Sequence, residues 1–380
     1  MRSIVRHFFD EIFERAKLPS LAKEGWLRPS RKCREASIAG ADGVVGSTTD
    51  NRWHEPTTPA APSKEGDNFF SGAATPPWLR RGVLCCVLWM LFAGLTLLAQ
   101  QKPLHLNPVI AKLAEGKTVY GLITGDLSLA YAREVARSPV DFIYADLEHN
   151  PLDFPSLHLF LMGMTDKAMV LKKGNLQPNV ALFARFPPEA DQSQWVVKQA
   201  LDIGLHGVIF NGVDTREQAL IAVKSMRYPQ LKGSEYYEPN GTRGAGPANA
   251  TWIWGISGEE YDRHADLWPL NPDGDLLAII MIESVEGLQN LDAISSTPGV
   301  GALFVGAAND LTRSMGVRPG SPEVEAGLQK VLSACKSNKI GCAITANTAN
   351  DLVKRVREGW NIIRSTVPAI IEGRAVLGEK

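Results

Sequence analysis

The sequence predicts an α/β protein whose body is a closed (β/α)8 TIM barrel, and three observations carry that prediction. From residue 107 onward, short apolar and β-branched runs alternate with segments of helical period. The alternation counts to eight in about 270 residues, the size and order of this barrel. Polar residues gather at the C-terminal ends of the apolar runs, where such a barrel carries its chemistry, while the beginnings hold glycine and small or apolar residues.

The candidate strands, in order, are Tyr120–Thr124, Asp141–Asp146, Ala181–Phe186, Gly207–Asn211, Leu276–Ile282, Ala302–Val305, Cys342–Thr345 and Asn361–Ser365. Each is short, apolar and bounded by polar or turn-forming residues, as a strand buried on both faces should be. Helical periods follow them at Leu127–Ser138, Gln194–Ile203 with Asp191 near its start, Thr215–Met226 with Thr215 as the N-cap, Pro322–Ser337 and Ala349–Gly359.

Composition bounds the rest. The chain has 380 residues, of which 44% are hydrophobic and 21% charged, with only 5 cysteines, so it is neither a disordered chain nor a disulfide scaffold. Forty Lys and Arg against 41 Asp and Glu leave a net charge of −1, which removes the counterion-release argument for nucleic-acid binding.

Ahead of the barrel (104–380) the sequence predicts two further regions. Residues 1–78 are polar and Pro-rich with no sustained period, and read as a disordered or mis-assigned leader. Within 79–100, Arg80 and Arg81 precede an uncharged run at 83–99, which reads as a signal peptide or a membrane anchor with its N-terminus on the cytoplasmic side. The expectation is an exported protein, periplasmic or secreted, or one held at a membrane through 83–99. A start of translation near residue 83 would give this run its usual N-terminal place. Cys33, Cys85 and Cys86 fall in the leader, and spacing alone does not say whether Cys335 and Cys342 pair.

At the strand ends stand Asp146-Leu147-Glu148-His149, Arg185, Glu283 and, just beyond strand six, Asn309-Asp310. Glu283 and Asp310, ending adjacent strands, can offer carboxylate oxygens to one hard divalent cation, Mg2+ or Mn2+, with Co2+ as a substitute. Such an open site chelates a 2-oxo acid and stabilises its enolate. Arg185 supplies a guanidinium fork to the same oxygens, and His149, with an intrinsic pKa near neutrality, is the proton carrier. Singly, each has a plainer role: a surface histidine, a helix cap, an ion-pair partner. Together at consecutive strand ends they favour a site. His105, His158, His206 and His264 carry less weight, since none lies at a strand end of that kind.

The ordered motifs DFIYADLEHNPLD (141–153), ARFPP (184–188), ALDIG (200–204), TREQA and MRYP (215–229), GTRGAG (241–246), IESVEGLQNLDAI (282–294) and GVGALFVGAANDLTRSMG (299–316) resemble the HpcH/HpaI aldolase family over roughly 107–370. The resemblance implies a barrel of the phosphoenolpyruvate/pyruvate-domain type, dimers that exchange a C-terminal helix and assemble into hexamers, and a class II aldolase. Such an enzyme cleaves a 4-hydroxy-2-oxo acid to pyruvate, or a related oxo acid, and an aldehyde through a metal-stabilised enolate. It further implies Glu283 and Asp310 as metal ligands, Arg185 as the pyruvate-binding arginine and His149 as acid and base with Asp202 as its partner. Asp146 and Glu148 would hold metal-bound water, and Gly306 would let the oxo-acid carboxylate approach the backbone. The sequence departs from the family at Met281, at Asn211-Gly212, in the Gly306–Asp310 loop and in a lengthened aromatic segment at 230–275. That segment is expected at the catalytic rim as a lid or interface cover. The alternatives are a CoA-ester lyase of the citrate or malyl-CoA type, and a non-catalytic exported protein that binds oxo acids.

Overall fold

The computed structural model describes residues 105–187, 194–306 and 309–379. The leader and the apolar run at 83–99 lie outside them. Among the described residues no helix is long and apolar enough to cross a membrane.

Eight parallel strands close into one barrel in sequence order, with β8 returning to pair with β1. They are β1 (Val119–Thr124), β2 (Phe142–Asp146), β3 (Ala181–Arg185), β4 (Gly207–Phe210), β5 (Leu277–Ile282), β6 (Ala302–Val305), β7 (Gly341–Thr345) and β8 (Ile362–Arg364). Each expected strand is present to within a residue or two at either end. The helices of the barrel layer include α1 (Pro108–Ala114), α2 (Leu129–Val135), α3 (Phe154–Gly163), α4 (Lys167–Lys173), α5 (Gln194–Asp202) and α6 (Arg216–Met226). After an excursion holding α7 (Ala248–Trp254) and α8 (Gly258–His264) come α9 (Val285–Gln289), α10 (Leu291–Ser295), α11 (Asp310–Met315), α12 (Pro322–Ser337), α13 (Ala349–Glu358) and α14 (Val367–Leu377).

Local chemistry sets several of these boundaries. Thr215 caps α6 in a full capping box with Gln218, as its position before the helical period required. The expected helix at 127–138 shortens because Ser128, inside it, turns its hydroxyl to the Tyr131 N–H and becomes the N-cap.

Strand alternation separates two apolar layers. Val119, Phe142, Tyr144, Phe183, Ile209, Ile279, Met281, Phe304 and Ile362 fill the barrel interior. Their neighbours Tyr120, Ile143, Leu182, Val208, Ile280, Leu303 and Ile363 face the helices. Gly121 belongs inside, and a Cβ there would lie 2.2 Å from the Phe142 ring, so the aromatic ring occupies the volume the glycine leaves free. Helix α1 plugs the lower opening with Val109, Ile110 and Leu113. It is anchored by Asn107, whose amide donates to His206 O (3.2 Å) and Asp275 O (3.1 Å). Cys335 of α12 and Cys342 of β7 form a disulfide with Sγ–Sγ 2.17 Å.

The lengthened segment 230–275 is not at the catalytic rim, and the expected lid is corrected on this point. It leaves the C-terminus of α6 and enters β5. Barrel helices run antiparallel to the strands, so a helix-to-strand connection lies at the end where strands begin. Its contacts agree with that position. Trp254 Nε1 donates to Gly204 O (2.8 Å), and its ring stacks on His206 with centroids 5.1 Å apart. Arg227, at the foot of α6, reaches Asp266 with Nε at 2.6 Å and Nη2 at 2.9 Å, and also donates to Tyr236 O and Pro239 O. The segment therefore forms a floor under the barrel.

Two predictions concern this floor. Asp266→Ala strands the fully buried Arg227 and should lower stability by about 3–5 kcal/mol, read from the denaturant midpoint at unchanged slope. Burial holds the His206 imidazole neutral, its pKa pushed down to about 4 from 6.5, with Asp275 opposing the shift. The unfolded chain thus binds one more proton between those values, and stability is lost as pH falls from 6.5 toward 4. His206→Phe should flatten that part of the stability profile by up to about 1.4 kcal/mol per pH unit.

Candidate active site

Alternation fixes which strand-end residues look into the upper mouth. Continuing the inward row from Tyr144, Phe183, Ile209, Met281, Phe304, Ala343 and Ile362 brings Asp146, Arg185, Asn211, Glu283, Gly306, Thr345 and Arg364 to one ring. Asp146 and Arg185 are also register partners across β2 and β3.

Arg185 is the centre of the charged side of this ring. Its Nε donates to Asp146 Oδ1 (3.1 Å) and its Nη2 to Asp146 Oδ2 (2.8 Å). Nη1 lies 3.0 Å from Glu148 Oε2, and the Tyr144 ring sits 5.9 Å from the guanidinium carbon. Both ends of the fork are therefore held, and the side chain is almost fully buried. Asp146 Oδ1 also accepts from the Glu148 N–H (3.3 Å) and weakly from the His149 N–H (3.5 Å), which curls the loop after β2 over the mouth. His149 stands on that curl with its side chain 63% exposed and Nε2 3.4 Å from Glu148 Oε2. Glu148 Oε2 is buried and, despite these two neighbours, accepts no well-directed hydrogen bond.

Across the ring, Glu283 Oε1 accepts from the Gly212 N–H at 2.8 Å. Burial pushes the Glu283 carboxyl up to about 7, the Gly212 hydrogen bond works against that shift, and the negative charges of Glu148 and Asp310 add to it. Asp310 opens α11 and is exposed. A Cβ at Gly306 would lie 3.0 Å from Glu283 Cβ and 3.2 Å from its Oε2, so a side chain here would crowd the carboxylate.

This donor set fits a hard divalent cation. The donors are oxygens, and burial together with the charges of Glu148 and Asp310 raises the cost of an ionised Glu283, a cost that a cation would offset. Among the described residues no three His, Cys, Asp or Glu side chains form a ligand cluster. Two carboxylates, Glu283 and Asp310, with the remaining positions open to water and substrate, are the arrangement that Mg2+ and Mn2+ accept.

Of the residues expected at the site, Asp146, Glu148, His149, Arg185, Glu283, Gly306 and Asp310 meet around the mouth. Asp202 does not. Within this single chain it ends α5, at the opposite end of the barrel, and its Oδ1 accepts from Arg243 Nη2 at 3.0 Å, so it does not stand beside its own chain's His149. The residue beside the His149 ring is Glu148. Sequence reasoning passed over Tyr144 under Arg185, the Gly212 N–H on Glu283, and Arg364. The signal for Tyr144 and Arg364 was the two-residue period of β2 and β8. The Gly212 contact had none, because it joins positions 71 apart.

Eight-stranded parallel barrels carry their chemistry at this C-terminal mouth, where paired acids and a clamped arginine stand in this chain. Residues 127–367 match the family model of HpcH/HpaI aldolase/citrate lyase, and the chain belongs to that family. It is 33% identical over 231 residues to a hydroxypyruvate/pyruvate aldolase of Pseudomonas aeruginosa, covering 60% of this chain and 75% of the relative. It is 31% identical over 232 residues to a 2-keto-3-deoxy-L-rhamnonate aldolase of Salmonella gallinarum, covering 60% and 73%. Among solved structures, an HpcH/HpaI aldolase/citrate lyase family protein from Burkholderia cenocepacia J2315 superposes with a TM-score of 0.56 at 25% identity, over 72% of this chain and 97% of that one.

Asp202→Ala separates the two placements. It removes the carboxylate beside the buried Arg243 and should lower the thermal midpoint, yet leave turnover of the folded protein within about twofold. A loss of turnover comparable to that of His149→Ala would return Asp202 to the site.

Proposed function

We propose that this chain is a divalent-cation-dependent carbon–carbon lyase, an aldolase that cleaves a 4-hydroxy-2-oxo acid to pyruvate or a related oxo acid and an aldehyde. One observation carries the reading: a buried Glu283 carboxylate, crowded by Glu148 and Asp310, shares the ring of inward strand ends with an arginine clamped in place.

Glu283 and Asp310 would hold the cation. When bound, it supplies positive charge to the two oxygens of the oxo acid and to the negative charge that builds there as the carbon–carbon bond breaks. Arg185 adds a second fixed positive charge. Because Asp146 and Glu148 already orient it, it need not reorganise as charge develops. The backbone at Gly306, without a Cβ, leaves room for the oxo-acid carboxylate beside Glu283. His149, exposed at the lip, receives the proton of the C4 hydroxyl as the C3–C4 bond breaks and the aldehyde departs. The proton then returns to C3 of the enolic half, which leaves as pyruvate. Glu148, close to the His149 ring, is a positioning residue.

The test is direct. Protein supplied with Mn2+ should exchange the C3 protons of pyruvate in deuterated water and condense pyruvate with simple aldehydes, and EDTA should abolish both. Absence of exchange and of any metal-dependent product overturns the proposal, and cleavage of malyl-CoA in their place would move the chain to CoA-ester lyases. His149→Ala should lower kcat about 100- to 10,000-fold with a pyruvate Kd changed by less than about threefold. Equal losses in both would reduce His149 to structural support. Glu283→Gln should lose Mn2+ binding itself, measured by the free-ion resonance signal without any substrate.

A further inference from the structure

The mouth holds a second arginine that the reaction described above leaves unused. Arg364 is the last residue of β8, where Ile362 faces the barrel interior and Ile363 faces the helices, so alternation turns Arg364 inward. It stands in register with Gly121 of β1 and Thr345 of β7. Its positive charge acts on the buried Tyr144 hydroxyl, as that of Arg185 does, which places both arginines around the same interior ring.

Its partners set it apart. Arg185, Arg227, Arg243, Arg355 and Arg374, all buried or half-buried, each face a carboxylate. Arg364 faces an amide, donating from Nη1 to Asn347 Oδ1 at 2.8 Å, and its Nε is buried with no hydrogen-bond partner. Helix α14, which starts three residues later, has no acidic residue in its first turn. A half-buried guanidinium with an idle N–H costs desolvation that an arriving anion recovers. Its fork suits a carboxylate or a phosphate. Nε and Nη2 of Arg185 already donate to Asp146 and its Nη1 is ion-paired with Glu148, so Arg364 is the arginine of this mouth that has a buried N–H without a partner and no carboxylate beside it. The loops after strands seven and eight of such barrels are also where anionic groups of substrates commonly lodge.

We propose that Arg364 determines specificity by holding an anionic group, carboxylate or phosphate, on the aldehyde half of the substrate, so that the preferred oxo acids carry a second negative charge at the far end. The inference rests on the aldolase reading of the same mouth and narrows it to a substrate class.

Two unreactive probes that differ only at that end test it: 2-oxoadipate, with a terminal carboxylate, and 2-oxohexanoate, with a methyl group in its place. Titrated calorimetrically into the full chain with Mn2+, 2-oxoadipate should bind about 10- to 100-fold more tightly. Arg364→Gln should bring it down to the level of 2-oxohexanoate, and Arg364→Lys should keep part of the difference. Equal affinity in the unmodified protein overturns the proposal. So does an Arg364→Gln protein that loses both probes alike, since Arg364 would then hold the oxo-acid end. Condensation of pyruvate with 4-oxobutanoate, glyceraldehyde 3-phosphate and butanal separates carboxylate from phosphate, and a preference for butanal overturns the assignment. Pyruvate C3 exchange needs no aldehyde. Its absence in the unmodified protein defeats the aldolase reading, whereas exchange without discrimination between the probes defeats the role of Arg364 alone.

Discussion

The closure of eight parallel strands imposes a two-residue rhythm on every strand, and the site depends on that constraint. Inward positions along a strand are packed with apolar side chains until the strand ends, where water and ligand first become accessible. Phe142, Tyr144 and Asp146 follow this order on β2, and Ala181, Phe183 and Arg185 follow it on β3. A polar side chain one residue earlier would be sealed in the core, and one residue later it would face the helices. The mouth is therefore a ring of last inward residues, assembled from strands far apart in sequence.

Charge within that ring is balanced in two ways. On one side Arg185 is compensated by Asp146 and Glu148, which hold it so firmly that it serves as a fixed positive field. On the other, burial, together with the negative charges of Glu148 and Asp310, pushes the Glu283 carboxyl upward. Charge at that side of the ring is left partly uncompensated by the fold. Arg364 shows the same logic with the opposite sign.

The opposite end of the barrel is built for stability. Asp275 accepts from His105 (2.9 Å), His264 (2.7 Å) and the Leu106 N–H (3.0 Å), tying the start of the barrel to the segment before β5. Arg227 with Asp266 and Arg243 with Asp202 pin the rest of the floor. The aromatic residues of 230–275, conspicuous in the sequence, divide accordingly: Trp254 is buried on His206, while Trp252 remains exposed.

The strands, their order and most of the residues that ring the mouth were legible in the sequence, because apolar runs, capping residues and strand-end polar groups are local signals. Thr215, before a helical period, is an example at a helix start. Side-chain partners were not legible. Asp202 could be matched to a motif but not to Arg243, 41 positions away, and Cys335 could not be matched to Cys342 until a helix and a strand were packed together. The face covered by 230–275 was misjudged because composition says nothing of direction, whereas the order helix, segment, strand does. The sequence by itself determined where the chain changes from strand to helix and which residues end each strand, since backbone preference and hydrophobic period act over a few residues. Tertiary structure alone decided which charges meet and which stay unpaired, because Coulomb interaction and desolvation depend on distance in space and on burial, neither of which the order of residues contains.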